Sequence, residues 1–310
     1  MLTRDLPTHQ VLPFARQAED LGFDELWVVE DLAFRGGVAQ AAAVLAATSR
    51  IRVGIGILPA GARNPVFAAM EIATLAQLFP GRIDVGIGHG MPPWMRAAGA
   101  WPSSPLTLLG EYIAALRALL RGERLETEGR YISLSGVQLD PSALPEVVPD
   151  ILAGVRGPRS LAVSGAVADG TILAEPATPP YIRTALDHIA ATRPHRVVAY
   201  NPASIHADPA TALDAVRPRL EWVGEPDAHA HTAPLPFAAD LAALRARCTD
   251  RQEFTRRIPD TWVSQLAIAG TPEQARARLG ELHTAGATSA ILVPDPGNPP
   301  TALAHLAQLI

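Results

Sequence analysis

Short apolar runs alternate along the chain with segments whose apolar residues recur at helical spacing. Between Val11 and Leu21 the spacing predicts a helix that stops at Gly22, and residues 23–30 then have the pattern of a strand. The same alternation predicts further strands at residues 51–57, 82–88, 147–153, 170–174, 195–200 and 289–293. Strands separated by helices in this way are typical of a parallel α/β protein.

A short stretch at residues 2–4 reads as the stub of one more strand. Eight βα units in roughly 250 residues plus an insertion fit a (β/α)8 TIM barrel, here with a short first strand. A doubly wound sheet has fewer strands and a glycine-rich first turn with GxGxxG spacing, which the region around Gly88 and Gly90 does not supply. The pattern therefore predicts the barrel.

Three segments depart from the alternation. Residues 91–105 are rich in Pro, Trp and Gly and predict an irregular loop, and residues 131–139 alternate loosely, as a short antiparallel excursion would. Residues 208–257 form a long polar stretch of helical character without an obvious strand. We therefore predict a single domain over residues 1–310 with a helical insertion at about 208–257.

Composition excludes several classes of protein. All 26 cationic positions are Arg, and the absence of Lys excludes Schiff-base chemistry and P-loop nucleotide hydrolysis. The net charge of −5 is spread without a basic stripe, which argues against a nucleic-acid partner. At 48% hydrophobic and 18% charged residues the chain is too apolar to be disordered.

Cysteine and histidine usage disfavours disulfide and metal sites. Cys248 is the single cysteine, and the histidines lack metal-ligand spacing, so we expect no bound metal. We expect His206, His229, His231 and His283 to lie on the surface. No signal-peptide core and no run of about 18 apolar residues is present, which predicts a cytoplasmic protein with no membrane partner.

In a TIM barrel the functional side chains lie at the carboxyl ends of the strands. Residues 154–160 join a strand to a helix and include Arg156 and Arg159, so backbone N–H groups and positive charge converge there as in a phosphate site. An ordinary βα turn that contains Gly and Arg remains the alternative. From its residues alone, the segment fits both interpretations.

Further candidates follow other strands. Glu30 and Asp31 are suited to proton transfer, to binding a cofactor ring or to capping a helix, and because they are adjacent at most one is expected to face the barrel mouth. His89, between two glycines, is a candidate proton carrier or a structural histidine. Trp94 and Trp101 either cover a planar ligand or anchor their loop.

Several runs resemble the bacterial luciferase-like monooxygenase superfamily. The resemblance covers nearly the whole chain and rests on residues 15–31, 52–59, 63–65, 80–90, 154–158, 168–170, 270–273 and 285–287. It implies a (β/α)8 barrel that binds FMN or the deazaflavin coenzyme F-420. The cofactor ring is expected to rest on a bulge at the end of the third predicted strand, residues 51–57, where the stub at residues 2–4 is counted as the first. In this family the bulge often contains a non-prolyl cis peptide bond, which maps to Gly56–Ile57.

The resemblance also implies site residues. Those expected to bind the cofactor are Gly56, Ile57, Leu58, Gly88, His89, Gly90, Gly154, Val155, Arg156, Gly157 and Pro158. Met91 and Trp94 are expected to face the substrate. Glu30, Asp31 and His89 are the candidate catalytic residues, and Glu30 matches the family's acidic residue most directly.

Two departures from the F-420-dependent branch concern the proton donor. Many of its members carry Asp-His where this chain has Glu30-Asp31, and an acidic residue where this chain has Met91. The proton must therefore come from another group. The absence of Lys also disfavours oxidation of a sugar phosphate.

The leading prediction is an F-420-dependent oxidoreductase that transfers a hydride between reduced deazaflavin and a small organic substrate, by reduction of a C=C or C=N bond. One alternative is an FMN-dependent monooxygenase that uses O2 and receives reduced flavin from a separate reductase. Another is a non-catalytic flavin-binding paralogue. A homodimer is expected because dimers are common among such proteins.

Overall fold

A curled parallel sheet forms the centre of the fold. The computed structural model describes residues 1–295 and 299–310. Numbered along the chain, the strands are β1 (Glu25–Val28), β2 (Arg52–Pro59), β3 (Ile83–Gly88), β4 (Leu125–Glu128), β5 (Ser133–Val137), β6 (Ile151–Gly154), β7 (Gly170–Leu173), β8 (Arg196–Ile205), β9 (Ile268–Gly270) and β10 (Ser289–Pro294). The sheet has the order β1-β2-β3-β6-β7-β8-β10, all parallel, and β9 pairs with the end of β8.

Residues 1–4 close the ring between the first and last strands of that order. The backbone nitrogen of Met1 donates to the Leu292 carbonyl oxygen of β10 at 2.8 Å. The Leu2 N–H donates to the Trp27 carbonyl oxygen of β1, also at 2.8 Å. The predicted first-strand stub therefore occupies the barrel seam, and the TIM barrel predicted from the pattern is confirmed.

Helices surround the sheet. They are α1 (Val11–Asp20), α2 (Gly37–Ala47), α3 (Pro65–Leu78), α4 (Pro92–Ala97), α5 (Pro105–Leu120), α6 (Pro158–Val167), α7 (Pro179–Ile189), α8 (Pro209–Val216), α9 (His229–Thr232), α10 (Ala238–Ala246), α11 (Arg251–Arg257), α12 (Asp260–Leu266), α13 (Pro272–Thr284) and α14 (Pro299–Leu306). Many begin at a proline, whose fixed φ suits the first helical position. None of the helices in the described ranges is long and apolar enough to cross a membrane.

Ion pairs fill the amino-terminal end of the barrel. Asp84, almost fully buried on β3, accepts from Arg52 at 2.6 Å and lies 3.0 Å from Arg196. Arg196 also pairs with Glu25 at 3.2 Å and with Asp150 at 3.0 Å. This end of a TIM barrel serves stability. The apolar interior lies between this network and the opposite end, where the candidate site residues are found.

The structure adds elements to the predicted pattern. β8 extends to Ile205, five residues beyond the predicted end, and β9 was not predicted. The predicted antiparallel excursion is the hairpin β4–β5, and the predicted irregular loop contains α4. Residues 208–257 hold α8 to α11 and short 3-10 turns. That this segment is an insertion in a single domain stays a prediction.

Candidate active site

A bulge interrupts β2 at the barrel mouth. The pairing of β2 with β3 shifts register between Ile55 and Leu58, and the Gly56–Ile57 peptide bond is cis, as the family resemblance implied. The side chain of Ile57 lies against glycine backbone of β3 and β6. A Cβ atom would approach Ile57 side-chain atoms to 2.9 Å from Gly86, 3.0 Å from Gly88 and 2.4 Å from Gly154. These glycines therefore make the space that the bulge occupies.

The buried hydroxyl of Tyr200 lies beside the same bulge. A Cβ on Gly56 would approach that oxygen to 2.3 Å. The hydroxyl has no hydrogen-bond partner among the described residues, and burial raises the pKa of Tyr200 well above its ordinary value. The Tyr200 ring packs edge-on against Trp27, with centroids 5.9 Å apart. The two rings fill the barrel interior beneath the bulge.

The turn between β6 and α6 has the geometry of an anion site. Gly157 is the N-cap of α6, and the space around its missing Cβ is open. Leu161 is the residue whose N–H first bonds back to the turn, to the Gly157 carbonyl oxygen at 2.9 Å. The N–H groups of Arg159 and Ser160 precede that bond and need an acceptor from outside the helix. Such a helix start binds phosphate groups readily.

His89 and Met91 lie next to this turn. His89 Nε2 is 3.0 Å from Ser160 Oγ, and Arg156 Nη2 is 3.8 Å from the Met91 sulfur. Burial lowers the pKa of His89, the Pro105 carbonyl opposes that effect, and the charge of Arg156 adds to it. Burial therefore favours the neutral form of His89, and the structure brings this residue to the predicted phosphate turn.

Glu30 and Asp31 lie at the end of β1 and are held by different arginines. The oxygens of Glu30 accept from Arg63 Nη1 and Nη2, each at 3.0 Å, and one also accepts from the Gly37 N–H at 2.8 Å. Asp31 accepts from Arg4 at 3.1 Å. Burial raises the pKa of Asp31, and Arg4 opposes that rise. Glu30 thus ties β1 to the start of α2 and to the loop after β2.

The predicted aromatic residues lie on and after α4. Trp94 is half-buried on that helix. The Arg96 guanidinium lies over the Trp101 ring, 5.4 Å from its centroid. These contacts fit the anchoring interpretation for Trp101, and a substrate contact by Trp94 stays a prediction.

The sequence did not predict two residues that lie behind the turn between β6 and α6, residues 154–160, which is called the phosphate turn below. Tyr181, on α7, donates its hydroxyl to the Arg156 carbonyl oxygen at 3.2 Å. His231, on α9, is buried with its ring centroid 4.5 Å from that of Tyr181. The expectation that His231 lies on the surface is wrong because α9 packs against the barrel helix α7, a tertiary contact that local spacing does not encode. His206, His229 and His283 are exposed as expected.

The burial of His231 predicts a pH effect on stability. Burial lowers the pKa of His231 to about 4, from 6.5, and the charge of Arg156 adds to the shift. Because the unfolded chain binds this proton first as the pH falls, the free energy of unfolding should decrease between pH 6.5 and 4, by up to about 3 kcal/mol. The decrease should be measurably smaller in His231→Phe, which keeps a ring against Tyr181. Denaturant unfolding at several pH values measures it.

The exposed His283 is the matched control for this measurement. His283→Phe should leave the pH dependence of unfolding between pH 6.5 and 4 as it is in the parent chain. An unchanged pH dependence in His231→Phe would contradict the assignment.

No cluster of His, Cys, Asp and Glu side chains suited to a metal ion occurs in the described residues.

The chain is similar in sequence to enzymes of known function. The 5,10-methylenetetrahydromethanopterin reductase of Methanolobus tindarius is 28% identical to this chain over 297 residues, which cover 92% of this chain and 90% of that protein.

Solved structures share the fold. The coenzyme F-420-dependent tetrahydromethanopterin reductase from Methanopyrus kandleri matches with a TM-score of 0.83 at 22% identity, over 100% of this chain and 96% of its own. An F-420-dependent secondary alcohol dehydrogenase matches with a TM-score of 0.73 at 19% identity, over 96% of this chain and 93% of its own. The family model described as luciferase-like monooxygenase matches residues 2–289. Since that match runs from the barrel seam to the last strand, the chain belongs to the luciferase-like monooxygenase family of oxidoreductases.

Proposed function

We propose that this protein is a coenzyme F-420-dependent oxidoreductase that transfers a hydride between the reduced deazaflavin and a small organic substrate, by reduction of a C=C or C=N bond. The observation that carries the proposal is that the turn before α6, a helix start suited to an anion, lies two strands along the mouth from the Gly56–Ile57 bulge. A phosphorylated flavin-type cofactor needs both a phosphate site and a surface for its ring. The relative from Methanolobus tindarius is a reductase by name, and the two solved structures described above are named as F-420-dependent.

The residues present fit such a cofactor. Gly157 leaves open space at the start of α6, and Arg156 adds a guanidinium beside it. The predicted binding residues Gly56, Ile57, Leu58, Gly88, His89, Gly90, Gly154, Val155, Arg156, Gly157 and Pro158 all belong to the bulge or to the ends of β3 and β6. When bound, F-420 supplies the hydride, and the chain must orient it, exclude water and manage the proton.

The proton roles are divided among the candidate catalytic residues. Asp31 has a raised pKa and a single described cationic partner, which suits a proton donor, and burial favours the neutral form of His89, which suits a proton acceptor. Glu30 shares both oxygens with Arg63, so it is better suited to positioning than to proton transfer. We propose that His89 or Asp31 carries the proton, with Met91 and Trp94 at the substrate side.

An FMN-dependent monooxygenase is the second candidate, because the matching family model is described as a luciferase-like monooxygenase and an anion site at a helix N-terminus accepts the phosphate of FMN equally well. It would take reduced flavin from a separate reductase. Titration of the purified protein with F-420 and with FMN, each followed by fluorescence quenching, separates the candidates. Tight binding of F-420 alone supports hydride transfer, a preference for FMN favours the monooxygenase, and binding without turnover of any reducible substrate favours a non-catalytic paralogue.

We also propose that the protein works in the cytoplasm as a homodimer formed through α3. Its outward side exposes Phe67, Met70 and Leu78, with 65%, 50% and 66% of each residue accessible. These residues recur at helical spacing and form an apolar stripe. Apolar stripes of this kind are typical of protein interfaces.

The α3 stripe gives a prediction about oligomeric state. Phe67→Glu should raise the dimer dissociation constant by about 30-fold or more, because two-fold symmetry buries the new charge twice. Light scattering during size exclusion measures it. Trp222→Glu is the matched control, since Trp222 is also 54% exposed but lies in the segment after α8. A parent chain that is monomeric at all concentrations would exclude the dimer, and a Phe67→Glu dimer of full stability would exclude this surface.

A further inference from the structure

The backbone of the phosphate turn is held from behind by Tyr181. The Tyr181 hydroxyl donates to the Arg156 carbonyl oxygen at 3.2 Å, and the ring is almost fully buried. Burial raises the pKa of Tyr181, so its hydroxyl keeps the proton that it donates. The hydroxyl is therefore protonated, and able to donate this hydrogen bond, at neutral pH.

This hydrogen bond fixes the direction of the next N–H group. In a trans peptide the C=O and the N–H point to opposite sides. The Arg156 carbonyl points at Tyr181, so the N–H of Gly157 points away from it. No atom lies within 4 Å of the position of a Gly157 Cβ, so the space beside this residue is open to a ligand.

Without this restraint the Arg156–Gly157 peptide can turn over. Gly157 has φ −89°, and a flip of the peptide by about 180° moves that angle to roughly +90°, which glycine tolerates and other residues do not. The flipped peptide would present a carbonyl oxygen to the ligand in place of an N–H. An anion would then meet a partial negative charge.

The segment after α8 supports the same turn. The His231 ring packs on Tyr181 from the side of α9. The Arg156 side chain donates to the Asp227 carbonyl oxygen at 3.2 Å, just before α9. Residues 227–231 thus pack against the Tyr181 ring and also accept a hydrogen bond from the Arg156 side chain.

We infer that Tyr181 is a positioning residue for the cofactor: its hydroxyl holds the Arg156–Gly157 peptide in the orientation that offers the Gly157 N–H to a phosphate group. This inference rests on the proposed function, because it requires a phosphorylated ligand at the turn. It assigns a role to a residue outside the predicted binding set. It also makes the helices after α8 part of the support for cofactor binding.

The experiment compares ligands with and without a phosphate. Dissociation constants are measured for FMN and riboflavin, and for F-420 and its phosphate-free deazaflavin precursor. Tyr181→Phe should weaken binding of the phosphorylated member of the bound pair by about 5- to 10-fold, the effect of one hydrogen bond, and leave the phosphate-free member within about 2-fold. Tyr112→Phe is the matched control, because Tyr112 is equally buried and its hydroxyl has no partner in the described residues.

A second comparison tests the peptide flip itself. Gly157→Ala disfavours the flipped backbone without crowding the fold, so Tyr181→Phe should cost less affinity in the Gly157→Ala background than in the parent chain. A purely structural role for Tyr181 would not produce this coupling. Equal losses for both members of a ligand pair, or equal losses in both backgrounds, would overturn the inference.

Failure of the proposed function has a different signature. If the turn binds no phosphate, the parent chain will show no preference for the phosphorylated ligands, and Gly157→Glu will not change that. If the turn does bind phosphate but Tyr181 does not position it, the preference will remain in Tyr181→Phe at full strength.

Discussion

Replacement of Gly157 by Glu should weaken binding of F-420 or FMN by about 100-fold or more, because it places a carboxylate where the cofactor phosphate is expected and like charges cost several kcal/mol when juxtaposed. The fold itself should tolerate the change. Gly157 has extended backbone angles that any residue adopts, and no atom lies within 4 Å of the position of a Cβ. Fluorescence titration measures the affinity, and thermal unfolding checks the fold.

Gly280 provides the matched control for this variant. It lies on α13, and a Cβ there also meets open space. Gly280→Glu should leave cofactor affinity unchanged, and its stability should not fall, since Glu favours helix more than Gly. Full affinity in Gly157→Glu would remove the phosphate assignment from the turn between β6 and α6.

Replacement of Asp84 by Ala should lower the free energy of unfolding by about 3 to 5 kcal/mol, which is the usual cost of breaking a buried ion pair from one side. Asp84 forms ion pairs with Arg52 and Arg196, and its side chain is 2% exposed. Removal of the carboxylate leaves the guanidinium groups of Arg52 and Arg196, at the amino-terminal end of the barrel, with less compensating negative charge. Denaturant unfolding measures the difference.

The surface pair of Asp214 and Arg217 is the control for that loss. Asp214 is 75% exposed and lies 3.0 Å from Arg217. Asp214→Ala should cost about 1 kcal/mol or less, because exposed ion pairs contribute little. A similar loss in both variants would show that burial does not govern the strength of the Asp84 pairs. The site at the opposite end of the barrel should bind cofactor in both variants once they are folded.

The local pattern of apolar and polar residues was enough to predict most strands of the barrel. The strands at residues 51–57 and 82–88 are largely buried and their apolar runs identify them, and Pro80-Gly81 marks the start of the second. β9 was missed because it has three residues, and its strand character comes from pairing with the extended end of β8. That pairing depends on where the chain folds back, which neither apolar run encodes.

The candidate site divides in the same way. The turn at Gly157 carries a local signal, since Gly and Arg follow a strand there, whereas the bulge at Gly56–Ile57 was implied by the family resemblance. Two other contacts join residues that are far apart in the chain: the ion pair of Glu30 with Arg63, and the packing of the His231 ring against Tyr181. The signal for Arg63 was present in part, since Asn64 and Pro65 mark a capped helix start beside it. No local signal predicts His231.

The closure of the barrel by residues 1–4 has a consequence for how the protein is made. Met1 contacts Leu292 across a separation of 291 positions, so the two edges of the sheet can meet only after β10 has left the ribosome. Until then the nascent protein presents open strand edges on β1 and on the growing side of the sheet, where unpaired backbone groups invite association with other chains. The ring is thus completed, and that hazard removed, only when β10 has emerged and paired with residues 1–4.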